Sequence, residues 1–335
     1  WGTEALVGSE AFRKTIRSLH VNTFHGGPGA YYDDPDRVAA HPMKTFDSLP
    51  DIAVKSSPEW LPLVHGSERF GEPQFDNRPA QGIADIYLAE YRESGYPTTL
   101  TLSHEPGFHR YAGLTDLPHF DAYRVVAPHA DRWGAYVRYG SKNVPWGAPL
   151  ETIGFYMRTL AALSRPNPIA AWSQALSDGW FSLLRPASGN PNPLEIRIQA
   201  YEALANGAVS LYWFNLSGKN VSANRDRLAV LQEIGREIRT VDRLLGQSAP
   251  YAWENRFLDL DHAVLFAIDL QYRKAQYNEF VSAGPRTGEL SFPVPAWLRD
   301  CDAAVRVHRD GIGPIPVRME AGRAVLSDTF QDTAL

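Results

Sequence analysis

Pro193-Leu194-Glu195-Ile196-Arg197-Ile198-Gln199-Ala200-Tyr201-Glu202-Ala203-Leu204-Ala205-Asn206-Gly207-Ala208-Val209-Ser210-Leu211-Tyr212-Trp213-Phe214-Asn215 is the stretch on which the reading of this chain turns. Pro193 suits a first helical position, where its missing N–H costs nothing. Ile196, Ala200, Ala203 and Leu204 recur at helical spacing, and Asn206-Gly207 stops the helix. The run from Val209 to Phe214 follows at once without polar alternation, as in a strand buried on both faces of a parallel sheet. It ends in Trp213 and Asn215, large groups with polar tips, where a βα-barrel assembles its reactive side chains.

The same alternation recurs outward from this unit. Phe12–Leu19 reads as a helix feeding a strand at Leu19–Phe24, then the turn His25-Gly26-Gly27-Pro28-Gly29. Further strands are expected at Asp51–Lys55, Leu61–His65, Thr98–Glu105, Asp121–Val126 and Ile169–Gln174. Helices are expected at Gly82–Tyr91, Leu150–Leu163 and Arg227–Leu245. About seven strands at this spacing argue for a parallel sheet with right-handed crossovers. The expected fold is α/β: a TIM-type (β/α)8 barrel over residues 1–248. Beyond Pro250 the strands Ala263–Ile268, Gly288–Phe292, Ala303–Val307 and Ala324–Leu326 follow without helices between them. A small antiparallel β-sandwich domain over residues 250–335 is expected there.

A chain of 335 residues can bury a large core. The net charge of −5 carries no basic stripe, which argues against a nucleic-acid partner. No apolar run reaches spanning length, so membrane insertion is not expected. The single Cys301 excludes an internal disulfide and a cysteine metal site. Six lysines against 27 arginines fit a GC-rich bacterial genome. The chain opens at Trp1 without an initiator Met or a signal peptide, so a mature or trimmed product is expected. Aromatic residues make up 12%, as sugar stacking or ordinary packing would require.

At the expected strand ends, His25 follows the first strand, and Gly71-Glu72-Pro73 follows the weak third one, with Phe75, Asp76 and Asn77 close behind. Then come His104 and Glu105, Asp116 and Asp121, Trp172, Gln174 and Trp180, and finally Trp213 and Asn215. Carboxylates, amides and aromatics converging on one mouth suit glycoside hydrolysis, in which two carboxyl groups flank the bond and aromatic faces hold the sugar.

The order Gly71-Glu72-Pro73, Pro97-Thr98-Thr99, Tyr111-Ala112-Gly113 with Asp116, Phe120-Asp121-Ala122-Tyr123, the strand Trp172–Gln174 and the unit Ala203–Asn215 resembles the barrel glycoside hydrolases of the β-galactosidase-like type. The resemblance implies a glycosidase acting on an oligo- or polysaccharide, with no cofactor and no metal. It implies Glu72, after the fourth strand of such barrels, as the acid/base. The nucleophile there is a Glu ending the seventh strand, and this chain has Gln174 instead, an amide that cannot ionise. Either the second carboxylate comes from Asp121 or Glu105, or the mechanism is inverting, or the site is degenerate. His25, His104, Tyr111, Asp116, Trp172, Gln174, Trp180, Trp213 and Asn215 are the expected substrate contacts. A carbohydrate substrate favours a periplasmic or secreted location, and the oligomeric state is left open.

Each residue has a plainer reading. Glu72 can sit in a polar loop, Asp121 can satisfy turn amides, Glu105 can pair in a salt bridge and Asp116 can cap a helix. Trp172 and Trp213 can be core aromatics. His104 and His109 are spaced i, i+5, unlike a zinc-binding helix, and the prolines there oppose a helix. No nucleophile elbow or dinucleotide fingerprint appears. Two rival readings remain: a carbohydrate-binding barrel without catalysis, and a carbohydrate lyase with a His or Tyr base.

Overall fold

The computed structural model describes residues 10–25, 44–47, 64–68, 71–93, 97–125, 150–175, 191–214, 225–247, 249–250, 256–258, 262–274 and 280–334. In chain order these begin with α1 (Glu10–Ser18), β1 (Thr23–His25), β2 (Lys44–Asp47), β3 (Val64–Glu68), α2 (Ala80–Glu93) and β4 (Thr98–Leu102). They continue with α3 (Glu105–Tyr111), β5 (Leu117–Asp121), α4 (Thr152–Ser164), β6 (Ile169–Gln174), α5 (Pro193–Ala205), β7 (Ala208–Phe214) and α6 (Arg225–Gln247). The seven strands form one sheet in sequence order, and every pairing in it is parallel. Strands stacked in sequence order with helical crossovers curl the sheet one way, into part of a TIM barrel.

Several strands lie away from the expected positions. The third includes Val64–Glu68, past the expected end at His65, because a polar His-Gly-Ser-Glu run is acceptable where one face lines a barrel interior; Leu61–Leu63 lie outside the described residues. The fifth is Leu117–Asp121, so Asp121 ends a strand instead of starting one. Lys44–Asp47 is a strand that its polar composition hid, while Asp51–Lys55 lies outside the described residues. The prolines near His104 do not prevent a helix: α3 begins at Glu105 with Pro106 in its first turn, where no intrahelical N–H is required. β7, expected to be buried on both faces, buries only Ala208 and Tyr212, and Val209 is 60% exposed. Among the described residues β7 is an end strand of the sheet order, which leaves it fewer covering neighbours.

Alternation along the strands separates two cores. Leu100 and Leu102, Phe120, and Ile169 and Ala171 face the helices and join Phe108, Tyr156, Ile196, Leu231 and Ile234 in the main cluster. Leu117, Ala170 and Tyr212, with Trp172 packed against them, form a second cluster on the opposite face, inside the curl. The helix and the strand of the decisive unit form where they were read, and the helix starts with a capping box: Asn192 accepts from the Glu195 amide at 2.9 Å while Glu195 accepts from the Asn192 amide at 2.8 Å. α5 is buried from Glu195 through Ala205, beyond the one apolar face of its sequence, because α4 and α6 also cover it. Gly154 on α4 makes that approach possible, since a Cβ there would meet the Glu202 carboxyl at 2.0 Å.

After Gln247 every regular strand pairs antiparallel. β8 (Ala249–Pro250), β9 (Arg256–Leu258) and β10 (Ala263–Leu265) form one sheet; β14 (Arg286–Pro293), β18 (Arg323–Phe330) and β17 (Val317–Glu320) form another. Smaller pairs join β11 (Ala267–Ile268) to β19 (Thr333–Ala334), β12 (Tyr272–Lys274) to β13 (Phe280–Ser282), and β15 (Ala304–His308) to β16 (Gly311–Ile315). Val264 and Phe266 extend the helix-side cluster into this region.

Candidate active site

The carboxyl ends of β3, β4, β5 and β6 converge. Glu68 ends β3 and is buried, with its Oε1 accepting from Thr101 Oγ1 at 2.5 Å across β4. Glu72 follows on the turn opened by Gly71, whose φ of +54° lies in the left-handed region that glycine adopts freely. The Glu72 carboxyl accepts from Ser103 Oγ at 2.5 Å, and Ser103 Oγ in turn accepts from Gln74 Nε2 at 3.3 Å. Asp121 ends β5 opposite Trp172 of β6, with Tyr123 two residues on. Tyr123 stacks on Phe214 at the end of β7 with ring centroids 4.7 Å apart.

The charges acting on these groups are negative. Burial pushes the Glu72 carboxyl above the usual carboxylate range; the Ser103 hydrogen bond opposes this, and the Glu68 charge adds to it. Asp121 is pushed much higher, first by burial and then by the Glu72 charge, with the Tyr123 hydroxyl opposing and Glu68 contributing. Burial and the Asp121 charge raise Tyr123 as well. Burial thus favours the protonated form of both carboxyls, and the Glu72 charge adds to this at Asp121.

Hydrogen-bonding capacity is left unmet around the pair. Asp121 Oδ1, Gln174 Nε2 and Gln74 Oε1 are buried and have no partner among the described residues. The other end of the Gln174 amide is used, since Oε1 accepts from the Val125 amide at 3.4 Å. Below them, His119, Trp172 and Tyr212 form an aromatic floor, with Trp172 and Tyr212 centroids 5.1 Å apart and His119 and Tyr212 5.0 Å apart.

The other expected site residues have the following places in the fold. Trp213 pairs in register with Ser173, while Tyr212 pairs with Trp172; Trp213 therefore takes the helix-side face and packs on the main core, away from Trp172. Strand alternation is the cause: one step along β7 exchanges the two faces. Asp116 precedes β5 and binds the start of β4, accepting from the Thr98 amide at 2.8 Å and from the Tyr87 hydroxyl at 2.9 Å, at the opposite end of the strands from the mouth. Tyr111 is buried in the main core, with its hydroxyl donating to the Arg78 carbonyl at 2.6 Å. Glu105 heads α3 and lies 3.9 Å from His109, one helical turn on, and exerts no resolved influence on Glu72 or Asp121. His104 caps α3, its Nδ1 accepting from the Gly107 amide at 3.3 Å, and burial lowers its pKa. His25 ends β1. Trp180 and Asn215 lie outside the described residues. Glu68, Ser103, Gln74, Tyr123 and Tyr212 are the mouth residues that sequence reasoning missed. Only their odd-numbered companions Thr99 and Thr101 in β4, polar in an apolar strand, hinted at an interior lined with hydrogen bonds.

No protein-family profile matches the chain, and no curated protein matches it in sequence. Solved structures do. A β-galactosidase from the psychrophilic Marinomonas ef1 superposes with a TM-score of 0.50 at 9% identity, over 73% of this chain and 60% of its own. The likeness is one of fold. A glycoside hydrolase family 17 β-1,3-glucanosyltransferase from Rhizomucor miehei matches at 0.41 and 10% identity, over 61% of this chain and 80% of its own. A GH51 arabinofuranosidase from Xanthomonas axonopodis pv. citri matches at 0.44 and 8% identity, over 97% of this chain and 88% of its own. The parallel, barrel-like sheet of this chain is thus similar in fold to the Marinomonas enzyme. Among the described residues no His, Cys, Asp and Glu side chains stand together as a metal site, and no helix is long and apolar enough to cross a membrane.

Proposed function

We propose that the chain is a glycoside hydrolase whose reacting pair is Glu72 and Asp121. The observation that carries this reading is the pair itself: carboxyls after β3 and at the end of β5, both raised in pKa by burial and by the Glu68 charge, with the Glu72 charge raising Asp121 further, beside polar atoms that lack partners. A general acid at neutral pH needs a raised pKa, and a second carboxyl must act at the anomeric carbon. The unmet groups include a donor, Gln174 Nε2, and acceptors, Asp121 Oδ1 and Gln74 Oε1. A sugar, whose hydroxyls both donate and accept, satisfies such a set, and the Trp172–Tyr212 floor supplies apolar surface for a ring face.

In this reading Glu72 is the proton donor, as the sequence resemblance implies. Burial favours the proton on Asp121, and Ser103 donating to Glu72 favours charge there. Leaving-group dependence separates the roles: losing the acid slows poor leaving groups far more than activated aryl glycosides. A carboxyl separation of about 5–5.5 Å implies retention and about 6.5–9.5 Å inversion. Gln174, where such barrels carry the nucleophile, favours a second reading, a barrel that binds carbohydrate without cleaving it. A screen of aryl glycosides and polysaccharides, with Glu72→Gln and Asp121→Asn as controls, decides between them. Turnover lost in both variants supports hydrolysis; binding without turnover in the parent chain supports the second reading. We further propose that the barrel and the C-terminal strands divide near residues 248–250, and that a polysaccharide substrate places the protein in the periplasm or outside the cell.

A further inference from the structure

Phe75 is 57% exposed, three residues beyond Glu72. An apolar ring in water is unremarkable on a loose loop, but this loop is tightly held. The Thr101 amide donates to the Gly71 carbonyl at 2.8 Å, and the Phe75 amide to the Glu72 carbonyl at 3.2 Å. The Asn77 and Arg78 amides donate to the Gln74 and Pro73 carbonyls at 3.3 and 3.2 Å. From α3, Arg110 donates to Asn77 Oδ1 at 2.6 Å and Tyr111 to the Arg78 carbonyl at 2.6 Å. Asn77 adopts a φ of +48°, a left-handed conformation that asparagine tolerates better than most residues and that only a fully determined loop retains. The fold therefore holds Phe75 outward rather than letting it collapse onto the core.

Beside it stands His104, with ring centroids 6.1 Å apart and planes tilted by 44°. The acceptor role of His104 Nδ1 places the ring proton on Nε2, so this edge of the platform can donate a hydrogen bond. Ser103, adjacent to His104, donates to Glu72 and accepts from Gln74, adjacent to Phe75, which ties both rings to the hydrogen bonds around the reacting carboxyl.

We propose that Phe75 and His104 form a second sugar subsite at the rim, stacking on the unit next to the one whose bond is cleaved, so that the substrate is an oligosaccharide chain rather than a simple monoglycoside. This rests on the hydrolase reading above. A rigid aromatic face contributes to sugar binding by apolar burial at little entropic cost, because the ring is already immobilised. Phe75→Ala should leave the fold intact, since the ring is mostly in solvent, and Phe75→Trp should keep the stacking face.

The test compares an oligosaccharide with the glycosyl fluoride of the same sugar, found by the substrate screen. Fluoride offers no ring to the rim. Phe75→Ala should lower kcat/KM for the oligosaccharide about tenfold more than for the fluoride, mainly through KM, with Phe75→Trp restoring it. Equal losses on both substrates, or none on either, overturn the subsite. Binding of a gluco- and galacto-oligosaccharide panel, followed by calorimetry, separates the two proposals. Sugars bound but not cleaved, and bound more weakly by Phe75→Ala, remove only the hydrolase reading and support the platform. A chain that neither binds nor cleaves any of them overturns both.

Discussion

Two clusters of buried acids in this molecule use the same residue types to opposite ends. At the joint between α5, α6 and the C-terminal strands, Arg197 is buried and donates to Glu237 at 2.7 and 3.0 Å; its Nε lies 3.4 Å from Asp332. Asp332 is also met by His308 at 3.3 Å and by Arg309 at 3.1 Å, and Tyr201 hydrogen-bonds Glu237. Burial alone would raise Asp332, but His308 and Arg197 hold its carboxyl below the usual range. At the mouth, Glu68, Glu72 and Asp121 are met by hydroxyls and by each other, and Glu72 and Asp121 are raised. A guanidinium turns a buried carboxylate into a clamp. Its absence leaves a carboxyl that holds a proton and costs the fold stability when it ionises.

The largest expected effect breaks the mouth. Glu72→Gln should lower kcat on a glycoside with a poor leaving group by about 10²–10⁴-fold, read by steady-state kinetics, with the melting temperature preserved. Next, Arg197→Met leaves Glu237 buried without its guanidinium, while Arg309 and His308 stay beside Asp332, and should cost about 3–5 kcal/mol in urea unfolding. Asp332→Asn, which retains the shape but not the charge, should cost about 1.5–3 kcal/mol at neutral pH. The folded pKa of Asp332 lies below its ordinary 3.8, so its contribution is present above that value and lost as pH falls through the folded pKa. The penalty of Asp332→Asn should therefore fade in acid.

The smallest effect has the reverse sign. The folded pKa of Asp121 lies above 3.8, so the fold favours its protonated form, and that advantage is lost as pH rises from 3.8 through the folded value. Asp121→Asn should raise the melting temperature by on the order of 2–4 °C at pH 7–8 and by nothing below 3.8, while abolishing turnover. If both asparagine variants moved stability in the same direction, the contrast between clamp and reacting pair would be wrong.

Local chemistry was enough to read the scaffold. Pro193 and Asn206-Gly207 bound a helix, Ile169–Gln174 is a strand with the ends read from its apolar run, and the switch to short strands after Pro250 is visible as turn residues without helical periodicity. Glu72 comes from the resemblance, and Asp121 stands beside Glu105 as a candidate partner although it ends a strand that it was expected to start. Which face each neighbour takes was decided only in three dimensions. Trp213 and Tyr212 are adjacent in sequence, yet one packs on the helices and the other forms the floor, because register with β6 sets the alternation. Glu68 lies beyond the expected strand Leu61–His65, and only the pairing of β3 with β4 brings Thr101 to it. Asp116 and Asp121, five residues apart, lie at opposite ends of one strand, and Arg197 finds Asp332 across 135 residues of chain. Periodicity encodes which residues turn inward from a segment; pairing across the sheet determines what they meet there.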